Sequence, residues 1–243
     1  MDEINQNSMF YWYDKIKDLP IAQPKTALYK FTGPELEYLA EEMVPLSISE
    51  NVQGIVKEIG FPLFMRTDFS SCKHGWKKTC YVESIEVLQR HILELLTNSM
   101  MQGWMSYQDT GLVFREFLQL QTGFTAFRGD FPVNRERRYF IKDGKVQCHH
   151  PYWYPGAIDG HTKTEGWKET VDLLNFETPS EVEILTEYAE RVGEVMKGYW
   201  SVDFAKGAGA ESPWYLIDMA EGEKSFHWLE CEFCSEEMRE QYK

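Results

Sequence analysis

Three carboxylates near the end of the chain stand where a metal site could be built. Asp203 closes the run Trp200-Ser201-Val202-Asp203, and Asp218 closes Trp214-Tyr215-Leu216-Ile217-Asp218. Two antiparallel strands joined by a short loop can bring both acids to the same edge of a sheet. Glu221 follows shortly after, and Gly222 allows a tight turn there. A hard divalent cation such as Mg²⁺ takes a few carboxylates together with phosphate oxygens and water. The plain alternative is a set of solvated acids at strand ends. Spacing alone leaves both open.

Two basic islands could answer that chemistry. Arg66, Lys73, Lys77 and Lys78 lie within 66–78 against Asp68, and Arg135, Arg137, Arg138, Lys142 and Lys145 lie within 135–145 against Glu136 and Asp143. The whole chain carries a formal net charge of -14. That balance argues against a binder of duplex nucleic acid or an anionic membrane, which needs a broad basic face, but it leaves room for a local phosphate site. Many of the acids fall on 181–195 and 230–240, where a solvated face is expected. The chain has neither a GK[ST] phosphate loop nor a G-x-S-x-G nucleophile elbow.

The cysteines are Cys72, Cys80, Cys148, Cys231 and Cys234. Cys231-Glu232-Phe233-Cys234 has metal-ligand spacing, and Cys148-His149-His150 could add donors. A second well-spaced pair is missing, so plain thiols near a helical C-terminus are the favoured reading. The start, MDEINQNSMFYWYDK, lacks the basic and apolar regions of a signal peptide, and no window approaches the ~20 apolar residues of a membrane span. With an odd cysteine count, these features lead us to expect a cytoplasmic protein with reduced thiols and no membrane partner. His149, His150 and His161 border the aromatic loop Pro151–Pro155, which could line a substrate pocket. Core aromatics and satisfied histidines are the plainer reading there.

The elements that would hold these residues follow from pattern. Phe61–Thr67 reads as a strand ending in the polar loop Asp68–Trp76, and Cys80–Val82 as a second short strand. Ser84 can cap a helix on which Ile85, Leu88, Ile92 and Leu95 recur at helical spacing. Gly111–Leu118 is a strand with no clean apolar face. Arg138–Ile141, the turn Lys142-Asp143-Gly144-Lys145 and Val146–His150 form a hairpin. By alternation, Arg135 and Arg137 point away from Arg138. Pro179-Ser180 precedes a strongly periodic helix, and Tyr199–Ala205 and Trp214–Asp218 are strands joined by a Gly/Ala/Ser-rich turn. Strands and helices come in separate runs, which makes the class α+β.

Residues 199–223, YWSVDFAKGAGAESPWYLIDMAEGE, resemble the metal-binding hairpin of the ATP-grasp superfamily. The resemblance makes Asp203 and Asp218 ligands of the Mg²⁺ ions of bound ATP. Ala220, followed by Glu221-Gly222, resembles the clade named for two arginines and one lysine and makes Glu221 the third ligand candidate. It continues in order from about residue 20 to 225. Phe61–Trp76 resembles the phosphate-contacting strand and loop, with Arg66 where many members carry Lys and with Ser70, Ser71 and Lys73 over the triphosphate. Leu112–Leu118 resembles the hinge strand against which adenine sits, implying roles for Glu116, for the backbone of Leu118, and for Arg115 as a clade arginine. Asn134–Lys145 resembles the family's E-x-R-x-F strand, where Arg138 would steady transferring phosphoryl oxygens. Lys206 and Lys73 compete as the clade lysine.

The resemblance implies two α+β lobes sandwiching the nucleotide. Residues 1–60 would pack on the core, 61–115 would form the first lobe, and 116–243 would form the second. It implies Mg-ATP-dependent, ADP-forming ligation through an acyl phosphate, joining a small-molecule or peptide/protein carboxylate to an amine. A more distant resemblance, to the eukaryotic cell-division-cycle ATP-grasp proteins, implies an ATP-binding assembly factor instead. A phosphotransferase on the same fold is the third possibility.

Overall fold

The computed structural model describes residues 5–101, 109–128 and 130–241; the first four residues of the acidic start and the last two of the tail lie outside them. In chain order the first half runs α1 (Met9–Ile16), β1 (Thr26–Lys30), α2 (Gly33–Ala40), α3 (Ser47–Asn51), α4 (Gln53–Ile59), β2 (Leu63–Thr67), β3 (Tyr81–Val82), α5 (Ile85–Met101) and β4 (Gly111–Glu116). The hairpin β5 (Thr122–Ala126) and β6 (Phe131–Asn134) leads into β7 (Glu136–Lys142) and β8 (Lys145–Pro151). Then come α6 (Pro155–Ile158), α7 (Trp167–Asn175), α8 (Pro179–Val195), β9 (Tyr199–Lys206), β10 (Trp214–Glu221) and α9 (Glu236–Gln241). Among the described residues no helix is long and apolar enough to cross a membrane.

The strands form two antiparallel four-stranded sheets, ordered β1-β4-β2-β3 and β10-β9-β7-β8, with β5-β6 as a separate ribbon. Each large sheet has one face on its own core. Leu63 and Met65 of β2 and Leu112 and Phe114 of β4 pack with Leu88, Ile92 and Leu95 of α5 and with Ile48, Val52 and Val56 of α3–α4. Trp200, Val202 and Phe204 of β9 alternate onto Leu185, Ala189 and Val192 of α8, and Met9, Trp12 and Ile16 of α1 join that core. The first sixty residues therefore divide. α1 packs with the second sheet, while β1 and α2–α4 belong to the first.

Local chemistry explains the boundaries. Thr32 and Glu35 form a reciprocal capping box at α2, and Thr178 accepts from the Glu181 N–H at 3.2 Å just before Pro179 opens α8. The β7–β8 turn places Asp143 and Gly144 at φ 50° and 87°, the left-handed pair a two-residue hairpin turn requires. Strand β4 lacks a clean apolar face because both of its faces are covered. Leu112 and Phe114 enter the first core, and Val113 enters the second. It ends at Glu116, earlier than its sequence pattern suggests.

One expectation is corrected. Glu181, placed by its helix among solvated acids, is buried against Arg135 (2.5 Å) and Arg137 (2.6 Å).

Candidate functional site

The outer faces of the two sheets meet across a cavity of about 200 Å³. The first sheet contributes Phe64 and Arg66 from β2 and Arg115 from β4, on the strand faces opposite Leu63, Met65 and Phe114. The second contributes Glu136 from β7, Asp203 from β9 and Asp218 from β10. The connection 117–120 between the sheets forms the back wall, and Trp76, Phe131 and Tyr152 form an aromatic side.

One irregularity places the second acid. On β10, Trp214 and Leu216 point into the core, so strict alternation would send Asp218 there too. The ladder shifts between Leu216 and Asp218. Leu216 pairs with Phe204 and Asp218 with Asp203, leaving Ile217 as the extra residue of a bulge, and Met219 then takes the core-facing position. The bulge turns Asp218 to the cavity directly across from Asp203. It also presents the Ile217 carbonyl to Arg115, whose Nη1 donates to it.

Positive groups surround the two carboxylates. Arg138 donates from Nε and Nη2 to both Asp203 oxygens, at 2.8 and 2.7 Å. Arg66 crosses between the sheets and donates from Nη1 to Asp218 at 2.8 Å, while Nε and Nη2 bond the Thr67 and Phe69 carbonyls. Lys73 donates to the Tyr152 hydroxyl at 2.9 Å and lies over the rings of Tyr152, Trp153 and Phe131.

Burial shapes the charges. It pushes the Arg115 guanidinium down to about 10. It raises the Glu136 carboxyl to about 7, against the pull of Lys73 and of the Asn134 amide at 3.1 Å. It also raises Asp203, with Arg138 opposing. For Lys73, burial works against the ammonium, but Tyr152 and Glu136 outweigh it and the pKa rises.

The donor set fits a magnesium nucleotide. Asp203 and Asp218 are hard oxygen donors facing each other across adjacent strands, with guanidinium forks suited to phosphate beside them. Phe64, Phe117, Leu118 and Ile217 offer apolar contact. Among the described residues the backbone groups of Phe117 and Leu118 make no hydrogen bond to the protein, so donors and acceptors remain at the hinge for a base edge.

Of the residues singled out by sequence, the cavity gathers Arg66, Ser71, Lys73, Arg115, Glu116, Leu118, Asp203 and Asp218, and Arg138 touches it through Asp203. The Glu116 carboxylate accepts from the Lys25 N–H at 3.0 Å. Three residues assigned to the nucleotide by resemblance are not brought there. Ser70 keeps its hydroxyl within its own loop, accepting from the Cys72 N–H at 3.2 Å. Lys206 reaches into the β9–β10 loop and donates to the Ser212 carbonyl. Glu221 accepts from Asn7 at 2.7 Å and pairs with Lys224 at 2.5 Å. Sequence reasoning passed over Asn134, Trp76 and the Ile217 bulge. Asn134 had a signal, standing two positions before Glu136 on the same side of an extended chain. The bulge had none.

The model of an ATP-grasp domain family, the third family of the clade named for its arginines and lysine, matches residues 48–228, about three quarters of the chain. No curated protein matches this chain. Among solved structures, a C-terminally truncated Cdc123 from Schizosaccharomyces pombe matches at a TM-score of 0.58 and 15% identity, covering 96% of this chain and 92% of that one. Cdc123 from the same organism gives a TM-score of 0.58 at 16% identity with the same coverage. At such identities the likeness is one of fold.

Proposed function

Because this chain belongs to the arginine-and-lysine clade of ATP-grasp domains, we propose that it binds Mg-ATP between its two sheets and uses it to join a carboxylate to an amine. The observation that carries this reading is the bulge-set pair Asp203–Asp218 sharing one cavity with Arg66, Arg115 and Lys73. Asp203 and Asp218 would hold Mg²⁺, which when bound neutralises charge on the terminal phosphates.

The chain's own groups account for the rest. Arg66 and Arg138 present fixed donor forks where phosphoryl charge grows, and Lys73, kept charged by its partners, adds a point charge. Trp76 and Phe131 restrict water on that side of the cavity. In the reaction supported by this arrangement, a substrate carboxylate oxygen attacks the γ-phosphorus and ADP leaves. An amine then attacks the acyl carbon, and phosphate leaves. Positioning and electrostatics suffice for such a transfer, and Lys73, at the cavity, is a better clade lysine than Lys206.

A second reading, nucleotide binding in the service of assembling a partner, draws on Glu221. With that carboxylate tied to Asn7 and Lys224, two of the three metal-ligand candidates, Asp203 and Asp218, line the cavity.

Calorimetry with Mg-ATP tests the site. Asp218→Asn should abolish binding while circular dichroism shows an intact fold, and unchanged affinity would remove the metal assignment. Product mass spectrometry with carboxylate and amine panels separates the reactions. A condensed product with ADP supports ligation, binding without turnover supports assembly, and a phosphorylated acceptor supports phosphotransfer.

A further inference from the structure

On the far side of β7–β8 from α8, the segment after β10 folds back and brings together three donors that the nucleotide cavity does not use. Cys148 stands on β8, and His227 and Cys231 stand on the returning segment. Their Sγ and ring nitrogen atoms all lie within 4.8 Å of one another. From these positions we infer that Cys148, His227 and Cys231 form a binding site for zinc or a similar thiophilic divalent cation, with water as fourth ligand.

The geometry suits the ion. Cys148 Sγ is 3.7 Å from His227 Nδ1. Tetrahedral zinc, with Zn–S of about 2.3 Å and Zn–N of about 2.0–2.1 Å, sets sulfur and nitrogen roughly 3.6 Å apart. The imidazole is already aimed. It stacks on Phe140 at 3.5 Å between centroids, and its other nitrogen, Nε2, lies 2.9 Å from the Tyr199 hydroxyl. With Nε2–H donating to the Tyr199 hydroxyl oxygen, the Nδ1 lone pair is left for metal, which is how outer partners commonly fix a ligating histidine. Cys231 reaches the site through a turn closed by its N–H donating to the Trp228 carbonyl at 2.9 Å.

The sequence pairs Cys231 with Cys234, but the fold pairs it with Cys148. Cys234 is buried on its own, with Sγ on the Ser235 carbonyl at 3.7 Å, and takes no part in the group. Binding would deprotonate both thiols, release two protons and form two metal–thiolate bonds and one metal–imidazole bond. The ion would fasten the returning segment to β8, the strand that runs on into Tyr152 at the cavity wall.

The test uses the full chain, reduced and stripped with a chelator, titrated first with Co²⁺ and then with Zn²⁺. One equivalent of Co²⁺ should give tetrahedral d–d bands and thiolate charge transfer, both lost on adding Zn²⁺. Cys148→Ser and Cys231→Ser should each weaken binding by about 100-fold or more, Tyr199→Phe by about 10-fold, and Cys234→Ser not at all. If Cys148→Ser fails to fold, Cys231→Ser on the tail gives the same reading. Three results would overturn the site: no tetrahedral spectrum, binding that survives both serine variants but not Cys234→Ser, or a Cys148–Cys231 disulfide in unreduced protein that contains no metal.

Discussion

On β7, Arg137 turns toward α8 and Arg138 toward the cleft. Arg137 has a fully buried side chain, and the protein takes up four of its five N–H groups. Nε donates to Glu181 at 2.6 Å, Nη1 to the Glu136 and Leu174 carbonyls at 2.9 Å, and Nη2 to the Phe176 carbonyl at 2.8 Å. Arg138 gives Nε and Nη2 to Asp203 and lies 4.7 Å over the Tyr152 ring; its Nη1 makes no hydrogen bond among the described residues. The titration behaviour separates the two as well. Burial lowers the Arg137 pKa despite Glu181, whereas at Arg138 the Asp203 carboxylate overcomes burial and raises it. One residue type thus serves two purposes on a single strand. A fork with four of its five N–H groups bonded inside the protein fixes structure, and one with three to spare can meet a ligand.

The largest effect should fall on the sealed side. Arg137→Ala leaves buried Glu181 with Arg135 as its remaining arginine, frees the Leu174 and Phe176 carbonyls of that donor, and should cost about 3–5 kcal/mol in chemical denaturation. A loss below about 1 kcal/mol would erase the distinction. On the open side, Arg138→Ala should cut ATP turnover by about 100-fold, roughly 2.7 kcal/mol of barrier, while changing the Kd for ATP less than 10-fold. Equal losses in both would make Arg138 a binding group only.

Glu136 sharpens the contrast through pH. Its folded pKa of about 7 lies above the ordinary 4.5, so between those values the folded protein holds more protons than the unfolded chain, and stability from this group falls as pH rises across that window. Glu136→Gln should therefore stabilise the fold at about pH 8, by on the order of 3 kcal/mol, and do nothing near pH 4. A pH-independent change would place the titration elsewhere. The smallest effect is expected at the exposed pair Arg191–Glu187, where Arg191→Ala should leave the denaturation midpoint unmoved.

Periodicity made most of the scaffold legible. α8 lies where its apolar spacing suggests, with Pro179 and Ser180 as its first residues rather than before it, and the Asp-Gly turn placed the β7–β8 hairpin. Alternation also separated Arg137 from Arg138 correctly. What escaped depends on contacts distant in sequence. The strand β1 and the ribbon β5–β6 are short and gain their order from pairing, β1 with β4 and β5 with β6, which local composition does not announce. Glu181 looked solvated because its two arginines arrive from β7 and the residue just before it, over forty residues upstream. Asp203 and Asp218 were readable as a pair, yet the device that aims them together is a one-residue slip after Leu216, and no residue type there marks it.

Two arginines of the first sheet end on neighbouring positions of β10. Arg115 donates to the Ile217 carbonyl and Arg66 to the Asp218 carboxylate. Mechanically, this short stretch is a pivot. A motion that parts the two sheets must either break both bonds or turn about residues 217–218.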